Sequence, residues 1–421
     1  MTAATSLPRS PLVPVLLAYA GFILAGLIIG VTGVLLPSLI DDYGVDKATI
    51  GIMFFTHAAG FVLAGATTGN LIERLGTRAT LMLGGCVFVL VALYLATRPP
   101  FVALIGVQVL VGYGAGLQES VLNAYLAGLR RATTLLNRLH AFFGVGALLG
   151  PLVATRMLRV TTWPTVWLVL ALVAVPLVVG YALAFPRRNP PVVAQADSRP
   201  AAPATQPRGL LPSTLRERGV LLGALLLTVY VGLEGGLGNW AFTYLVEARE
   251  QADLLAGYTV SGFWLGLTLG RFLISPTAGR MGVTPVTMIF GCLGAASAAV
   301  TVTWLVPSAA VASASLVLLG FFLGPIFPTA MAVVPRLTAA RLVPTAIGVM
   351  NAGSVVGGSA LPWLAGATAQ GIGVWTLPPF TLVLGVALIV IWWRMARRMR
   401  EPGPDQASDQ APVPDPAPQR G

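Results

Sequence analysis

The sequence predicts an all-α membrane protein, with twelve transmembrane helices arranged as two pseudo-symmetric six-helix bundles. Three observations carry that expectation. The 421 residues are 56% hydrophobic and only 10% charged, whereas soluble domains carry about 25% charged residues. Apolar stretches long enough to cross hydrocarbon, about 20 residues each, recur twelve times along the chain. The segment between the sixth and seventh stretches, near residues 187–218, is rich in Pro, Ala and polar residues and divides the twelve into six and six.

In order, the spans are expected near 14–38, 48–69, 78–97, 101–125, 138–158, 164–185, 219–244, 254–277, 284–305, 308–333, 343–368 and 373–394. The first runs on into Asp41 and Asp42 with no small-residue cleavage site, so it reads as a retained helix. The domains expected are 1–186, an N-terminal bundle; 187–218, a cytoplasmic linker; 219–396, a C-terminal bundle; and 397–421, a disordered cytoplasmic tail whose Pro-rich polar composition cannot build a core. Cys86 and Cys292 both fall within spans, which excludes a disulfide framework.

The formal net charge of +11 invites a nucleic-acid reading, but its distribution excludes one. Arg74, Arg78, Arg216, Arg218, Arg280, Arg336, Arg394, Arg397 and Arg398 all lie in segments on the side of the termini. In all, twenty of the 26 basic residues fall on that side. The opposite side holds only Lys47, Arg98, Arg156, Arg159 and Arg249, and Arg271 remains inside the eighth span. This positive-inside bias puts both termini in the cytoplasm of a multi-pass protein of the cell (inner) membrane.

The halves also repeat. At a shift of 206 residues, Gly26 falls on Gly232, Gly30 on Gly236, Gly51 on Gly257, Gly60 on Gly266, Gly76 on Gly282 and Gly85 on Gly291. Arg74 falls on Arg280, and the two cysteines fall on each other. Self-similarity at a fixed shift marks a parallel repeat, the architecture in which carriers bind solute at the repeat interface near the bilayer midplane.

Charge inside the spans then picks out candidates. Glu119 in the fourth span and Glu234 in the seventh sit in stretches almost free of other charge. A carboxylate at the bilayer centre costs about 2.5 kcal/mol or more, so it persists with a function or a partner. Asn123 lies four residues after Glu119, hence on the same helical face. Arg271 has two readings, pairing with an acid or snorkelling to the interface. His57 reads as a packed residue that could carry a proton, and His140 as interfacial.

Gly69-Asn-Leu-Ile-Glu-Arg-Leu-Gly-Thr-Arg78 resembles the signature loop of the major facilitator superfamily, G-x-x-x-D-R-x-G-R/K-R/K. Glu73 stands where the motif has Asp, and Thr77 replaces its first basic residue. The glycines suit a tight turn and close helix approach. Gly69, Glu73, Arg74, Gly76 and Arg78, with Arg280 in the degenerate second copy Gly279-Arg-Met-Gly282, are therefore the gating candidates, with the charges expected to cluster at helix ends.

Three further pieces resemble the fucose/glucose:proton symporter branch of that superfamily, over nearly the whole chain apart from linker and tails. They are E-x-x-x-N at Glu119 to Asn123, Y-V-G-x-E-x-x-x-x-x-W from Tyr230 to Trp240 (Asn239 here preceding the Trp), and F-W-x-G-x-x-x-G-R from Phe263 to Arg271. The resemblance implies proton-coupled uptake of a hexose-like solute, with Glu119 in proton or sugar handling. Symporters of this branch can carry an acid in the first span. Leu16 to Leu36 contains none, which leaves Glu234 as the second proton-coupling candidate. A sugar pocket needs amides and carboxylates for hydroxyls and aromatic faces for the ring; Gln118, Asn123, Asn239, Trp240, Tyr244, Trp264 and Asn351 supply those types.

A competing resemblance lies in Gly146-Ala-Leu-Leu-Gly-Pro151 of the fifth span, similar to the kink of drug:proton antiporters. Gln108 stands where those antiporters carry an Arg, so efflux is the alternative rather than the first reading. Two histidines and two cysteines set far apart do not make the usual zinc spacings, and no phosphate-binding glycine loop or hydrolase triad is present. The expectation is thus a carrier that is not an enzyme, has no cofactor or metal, binds no nucleic acid, works as a monomer in the lipid bilayer, and has a sugar-like small molecule and a proton as its partners.

Overall fold

The computed structural model describes residues 12–129, 132–186, 210–339 and 342–399. Most of the expected linker and nearly all of the expected tail fall outside the described residues. Within the expected linker range, Leu210–Arg216 forms a short helix, α7. The other helices are α1 (Leu12–Tyr43), α2 (Lys47–Ile50), α3 (Ile52–Leu95), α4 (Phe101–Ala127), α5 (Ala132–Leu158), α6 (Trp163–Ala184), α8 (Arg218–Thr243), α9 (Asp253–Arg280), α10 (Pro285–Leu305), α11 (Ala309–Leu323), α12 (Ile326–Ala332), α13 (Val343–Gly371) and α14 (Leu377–Arg398).

Among the described residues, nine helices have the length and hydropathy of a membrane crossing. The twelve spans follow from them for physical reasons. Helix α3 carries two spans, because its 44 residues reverse at Gly76, whose φ of 82° suits a residue without a Cβ. Helices α9 and α13 cross as well; Arg271 in α9 and the Gly, Ser and Thr content of both depress their hydropathy. Pro at the first turn of α6, α10, α13 and α14 fits the position where a missing N–H costs nothing.

The repeat is visible in the packing. In the first half α1 lies on α5 and α3 on α4; in the second, α8 lies on α13 and α9 on α11. Gly60 sets its α-carbon against the Val109 carbonyl of α4, and its repeat mate Gly266 sets its own against the Val317 carbonyl of α11. A side chain at either would drive the helices apart, so glycine is what lets backbones approach without a hydrophobic driving force. Gly282, mate of Gly76, also has a positive φ of 70°.

One end of the bundle carries Leu12 and Met399 and is called here the terminal end; the other is the far end. The halves meet mainly toward the far end. Short helix α2, capped by Asp46 accepting from the Thr49 N–H at 2.6 Å, lies against α13 of the other half. Gln370 Oε1 accepts from the Lys47 N–H (3.2 Å), and Trp363 Nε1 donates to the Ala48 carbonyl (3.1 Å). Lys47 Nζ reaches Glu247 Oε2 at 3.0 Å. Gly33 of α1 abuts Gly238 and Asn239 of α8, and Gly257 of α9 abuts Thr155 of α5.

Candidate functional site

Glu119 faces α1 from α4. It shares a cavity of about 10 Å³ with Gly21, Phe22, Ala25, Ile28 and Gln118, room for roughly one water molecule. Neighbours at i−1, i−4 and i+3 on α4 (Gln118, Ala115 and Leu122) line the same cavity, as helical periodicity requires. The Tyr181 hydroxyl donates to Gln118 Oε1 at 3.4 Å. No cation or donor among the described residues meets the Glu119 carboxyl. The Asn123 amide does not bond it either: its Nδ2 donates to the Glu119 backbone carbonyl at 2.9 Å. Sharing a helical face brought these two residues together without joining their side chains.

Glu234 is paired. Arg271 Nη2 of α9 lies 3.3 Å from Glu234 Oε1, with the side chains 27% and 14% exposed respectively. Tyr230, one turn before Glu234, flanks both charges and donates its hydroxyl to the Leu323 carbonyl at 3.0 Å. Of the two readings of Arg271, pairing with an acid is the one realised. Arg271 also lies close enough to His140 of α5 to act on it electrostatically, and His140 packs edge-to-face on Phe22 at 5.4 Å. His140 therefore lies beside the boundary between halves. The small cavity beside Glu119 is lined by residues of the N-terminal half alone.

The other candidates separate into two groups. Asn239 sits at the α1–α8 crossing, where its Nδ2 donates to the Gly235 carbonyl at 2.8 Å, and Trp264 packs on Gly238 beside it. Trp240 and Tyr244 lie instead on a separate apolar cavity of about 30 Å³ inside the C-terminal bundle, with Leu316 and Thr381. Trp240 is 1% exposed, donates to the Pro362 carbonyl at 2.8 Å and meets Phe54 edge-to-face, so it belongs to the far-end seal. The Tyr244 hydroxyl donates to the Thr303 carbonyl (3.0 Å) and accepts from Arg249 Nε (2.7 Å). That clamp fixes a π-helical turn, Tyr244–Ala248, which presents Glu247. Asn351 is exposed on the terminal half of α13.

In the signature loop the expected charge cluster is not joined by ion pairs among the described residues. Glu73 and Arg74 are exposed, and Arg78 Nε donates to the Phe185 carbonyl at the end of α6, 2.7 Å away. Among the described residues, then, Arg78 ends on a carbonyl and Glu73 and Arg74 in solvent. Gly76 makes the tight turn, whereas Gly69 has open space around it rather than a close helix. Arg280 is exposed at the end of α9. Lys47 and Glu247, which join the halves, gave no sequence signal: each reads as an ordinary loop charge.

Comparisons with known proteins fit this geometry. The family model of the Major Facilitator Superfamily matches residues 18–254 and 251–418. "Bypass of stop codon protein 6" of Saccharomyces cerevisiae is 25% identical over 402 residues, covering 89% of this chain and 80% of its own. The "Glucose/mannose transporter GlcP" of Bacillus subtilis is 24% identical over 285 residues, 66% of this chain and 69% of its own. Among solved structures, a point mutant of the nucleoside transporter NupG superposes with a TM-score of 0.74 at 14% identity, covering 91% of this chain and 99% of that one. Two six-helix bundles with a parallel repeat, the signature turn at Gly76 and a family match over almost the whole chain lead to one conclusion: the protein belongs to the major facilitator superfamily and resembles its fucose/glucose:proton symporter branch.

Proposed function

We propose that this chain is a secondary active carrier that takes up a small polar solute, a sugar, together with protons by alternating access. It works as a monomer in the cell (inner) membrane with its terminal end in the cytoplasm, as the basic residues of the terminal-end connections indicate. Residues 1–186 rock against residues 219–396 about a midplane site, tethered through 187–218, with 397–421 as a cytoplasmic tail. The contacts between the halves concentrate at the far end, so the state described is the one closed to the outside.

The observation that carries the reading is the Glu119 carboxyl, which lines a cavity against α1 with no cation or donor among the described residues to hold its charge. An ionised acid there has no compensation. Protonation removes the cost of passing through the dry, occluded state, and release at the open face resets it. Glu234, whose charge is balanced by Arg271, takes the second coupling role: breaking and remaking that pair links solute entry to rocking. Gln118, Asn123, Asn239, Trp264 and Asn351 offer hydrogen-bonding groups to solute, and Trp240 and Tyr244 shape the far wall. Gly69, Glu73, Arg74, Gly76, Arg78 and Arg280 act at the terminal end, where Gly76 is the hinge of the two spans in α3. The glucose/mannose transporter relative supports a hexose as the solute.

Uptake and efflux measured in right-side-out and everted vesicles, with D-glucose, D-mannose and a cationic dye, test the proposal. Hexose-stimulated alkalinisation outside right-side-out vesicles is expected. Dye extrusion without hexose uptake would establish the drug:proton antiporter instead.

A further inference from the structure

Four indoles in this protein find acceptors: Trp163 on Asp42, Trp240 on the Pro362 carbonyl, Trp363 on the Ala48 carbonyl and Trp392 on the Val286 carbonyl, at 2.8 to 3.2 Å. Trp264 is the indole whose N–H is buried and unpartnered among the described residues: it is 4% exposed and its Nε1–H meets no acceptor there. A buried N–H without a partner carries a desolvation cost of about 1 to 3 kcal/mol, and such groups call for an explanation.

A second spare donor lies seven residues along α9, on the same helical face and about 10 Å further toward the terminal end. Arg271 is held by Nη2 on Glu234, and Tyr230 flanks it. Its Nε–H, also buried, has no partner among the described residues. Between the two donors Thr268 bonds the Trp264 carbonyl (2.9 Å) and touches Gly144 of α5. This face of α9 is therefore where the C-terminal half meets the N-terminal half. Trp264 and Arg271 both rest on α8, at Gly238 and Glu234, one turn apart.

Both of these groups are donors, and the carboxylate beside Arg271, Glu234, is already charge-balanced. Such a surface favours a solute that presents acceptor oxygens and disfavours a cation, which would meet Arg271 first. Resting on the sugar reading above, we propose that Trp264 Nε1–H and Arg271 Nε–H are direct substrate contacts, each donating to an oxygen of a neutral polyhydroxylated solute. Glu234, held in place by Arg271, accepts from a neighbouring hydroxyl. The assignment adds Arg271 to the substrate site and gives a reason why a hexose is preferred to a lipophilic cation.

The experiment is counterflow of D-glucose and of its singly deoxygenated analogues into proteoliposomes holding the full chain. The wild type, Trp264→Phe, Arg271→Lys and the double variant are compared, with ethidium as competitor. Trp264→Phe keeps the ring and removes the N–H; Arg271→Lys keeps a positive charge for Glu234 and removes Nε. The expected result is a five- to tenfold loss of apparent glucose affinity for Trp264→Phe and tenfold or more for Arg271→Lys. For each variant, one deoxygenated position should penalise the wild type but leave the variant indifferent, a coupling that a packing role would not produce. Ethidium should not compete. If every analogue is penalised equally in wild type and variants, the donors touch no substrate and the assignment fails while the sugar reading stands. If the wild type exchanges no hexose, or ethidium is the species moved, both fail. Should Arg271→Lys not yield folded protein, the Trp264→Phe cycle decides alone.

Discussion

Lys47 and Glu247 form the one ion pair between the halves among the described residues, at 3.0 Å, with side chains 15% and 40% exposed. Coulomb's law at that distance gives about 1.4 to 5.5 kcal/mol for effective dielectric constants of 80 to 20. The exposure of Glu247 and the ordering of two long side chains bring the useful part to about 1 kcal/mol. Lys47→Glu removes the pair and adds a repulsion of similar size, so the closed far end loses about 2 kcal/mol relative to the open one. That is a shift of roughly 30-fold in the ratio of states. The readout is a cysteine in place of Phe54, which is 8% exposed and seated edge-to-face on Trp240 inside the seal. In a background with Cys86 and Cys292 replaced by Ser, a membrane-impermeant maleimide should label this cysteine ten- to thirtyfold faster with Lys47→Glu. The swap Lys47→Glu with Glu247→Lys should bring the rate back near that of the parent. Equal labelling in parent and Lys47→Glu, or a swap that restores nothing, would refute the assignment of this pair as a far-end latch.

Three other outcomes are expected. Glu234→Ala leaves the Arg271 guanidinium buried beside no acid, at a cost of about 3 kcal/mol. The purified protein should melt several degrees lower than the wild type, and adding Arg271→Leu should recover part of that loss. Gly266→Val presses a branched side chain onto the Val317 carbonyl and the Phe321 amide, so α9 and α11 must separate; a loss of about 2 kcal/mol or more should appear as reduced folded yield and melting temperature. The Thr49 N–H and hydroxyl hold the Asp46 carboxyl below its ordinary value of 3.8. Its contribution to capping α2 is then complete above that value and lost as pH falls through the depressed one. The melting difference between wild type and Asp46→Asn should be constant from neutral pH down to about 4 and vanish below.

Much of the fold was legible because a bilayer imposes length and composition on each span. The two spans that a strict hydropathy threshold passes over, α9 and α13, were legible as apolar stretches of membrane-crossing length near 254–277 and 343–368 despite Arg271 and their Gly, Ser and Thr content. Glu234 was legible as an oddity, a charge in apolar surroundings. Its partner was left open because the register between α8 and α9 depends on side-chain contacts that one sequence does not encode. The same limit separated Asn123 from the Glu119 carboxyl: helical spacing fixes a shared face, whereas the i−4 carbonyl competes for the amide. Trp240 and Tyr244 had the right chemistry for a sugar ring. Helix rotation sent them to the far-end wall, and the Arg249 clamp on Tyr244 forms only through a local π-helical turn. Lys47 and Glu247 were invisible for a different reason, since charges at helix ends are expected in any membrane protein.

The most direct test of the account is accumulation of D-glucose against its gradient, driven by an imposed pH difference, in proteoliposomes carrying wild type or Glu119→Gln. The glutamine keeps the shape of the side chain and cannot exchange a proton. The wild type should concentrate the sugar while Glu119→Gln only equilibrates it, with counterflow retained. Undiminished accumulation by Glu119→Gln would contradict it.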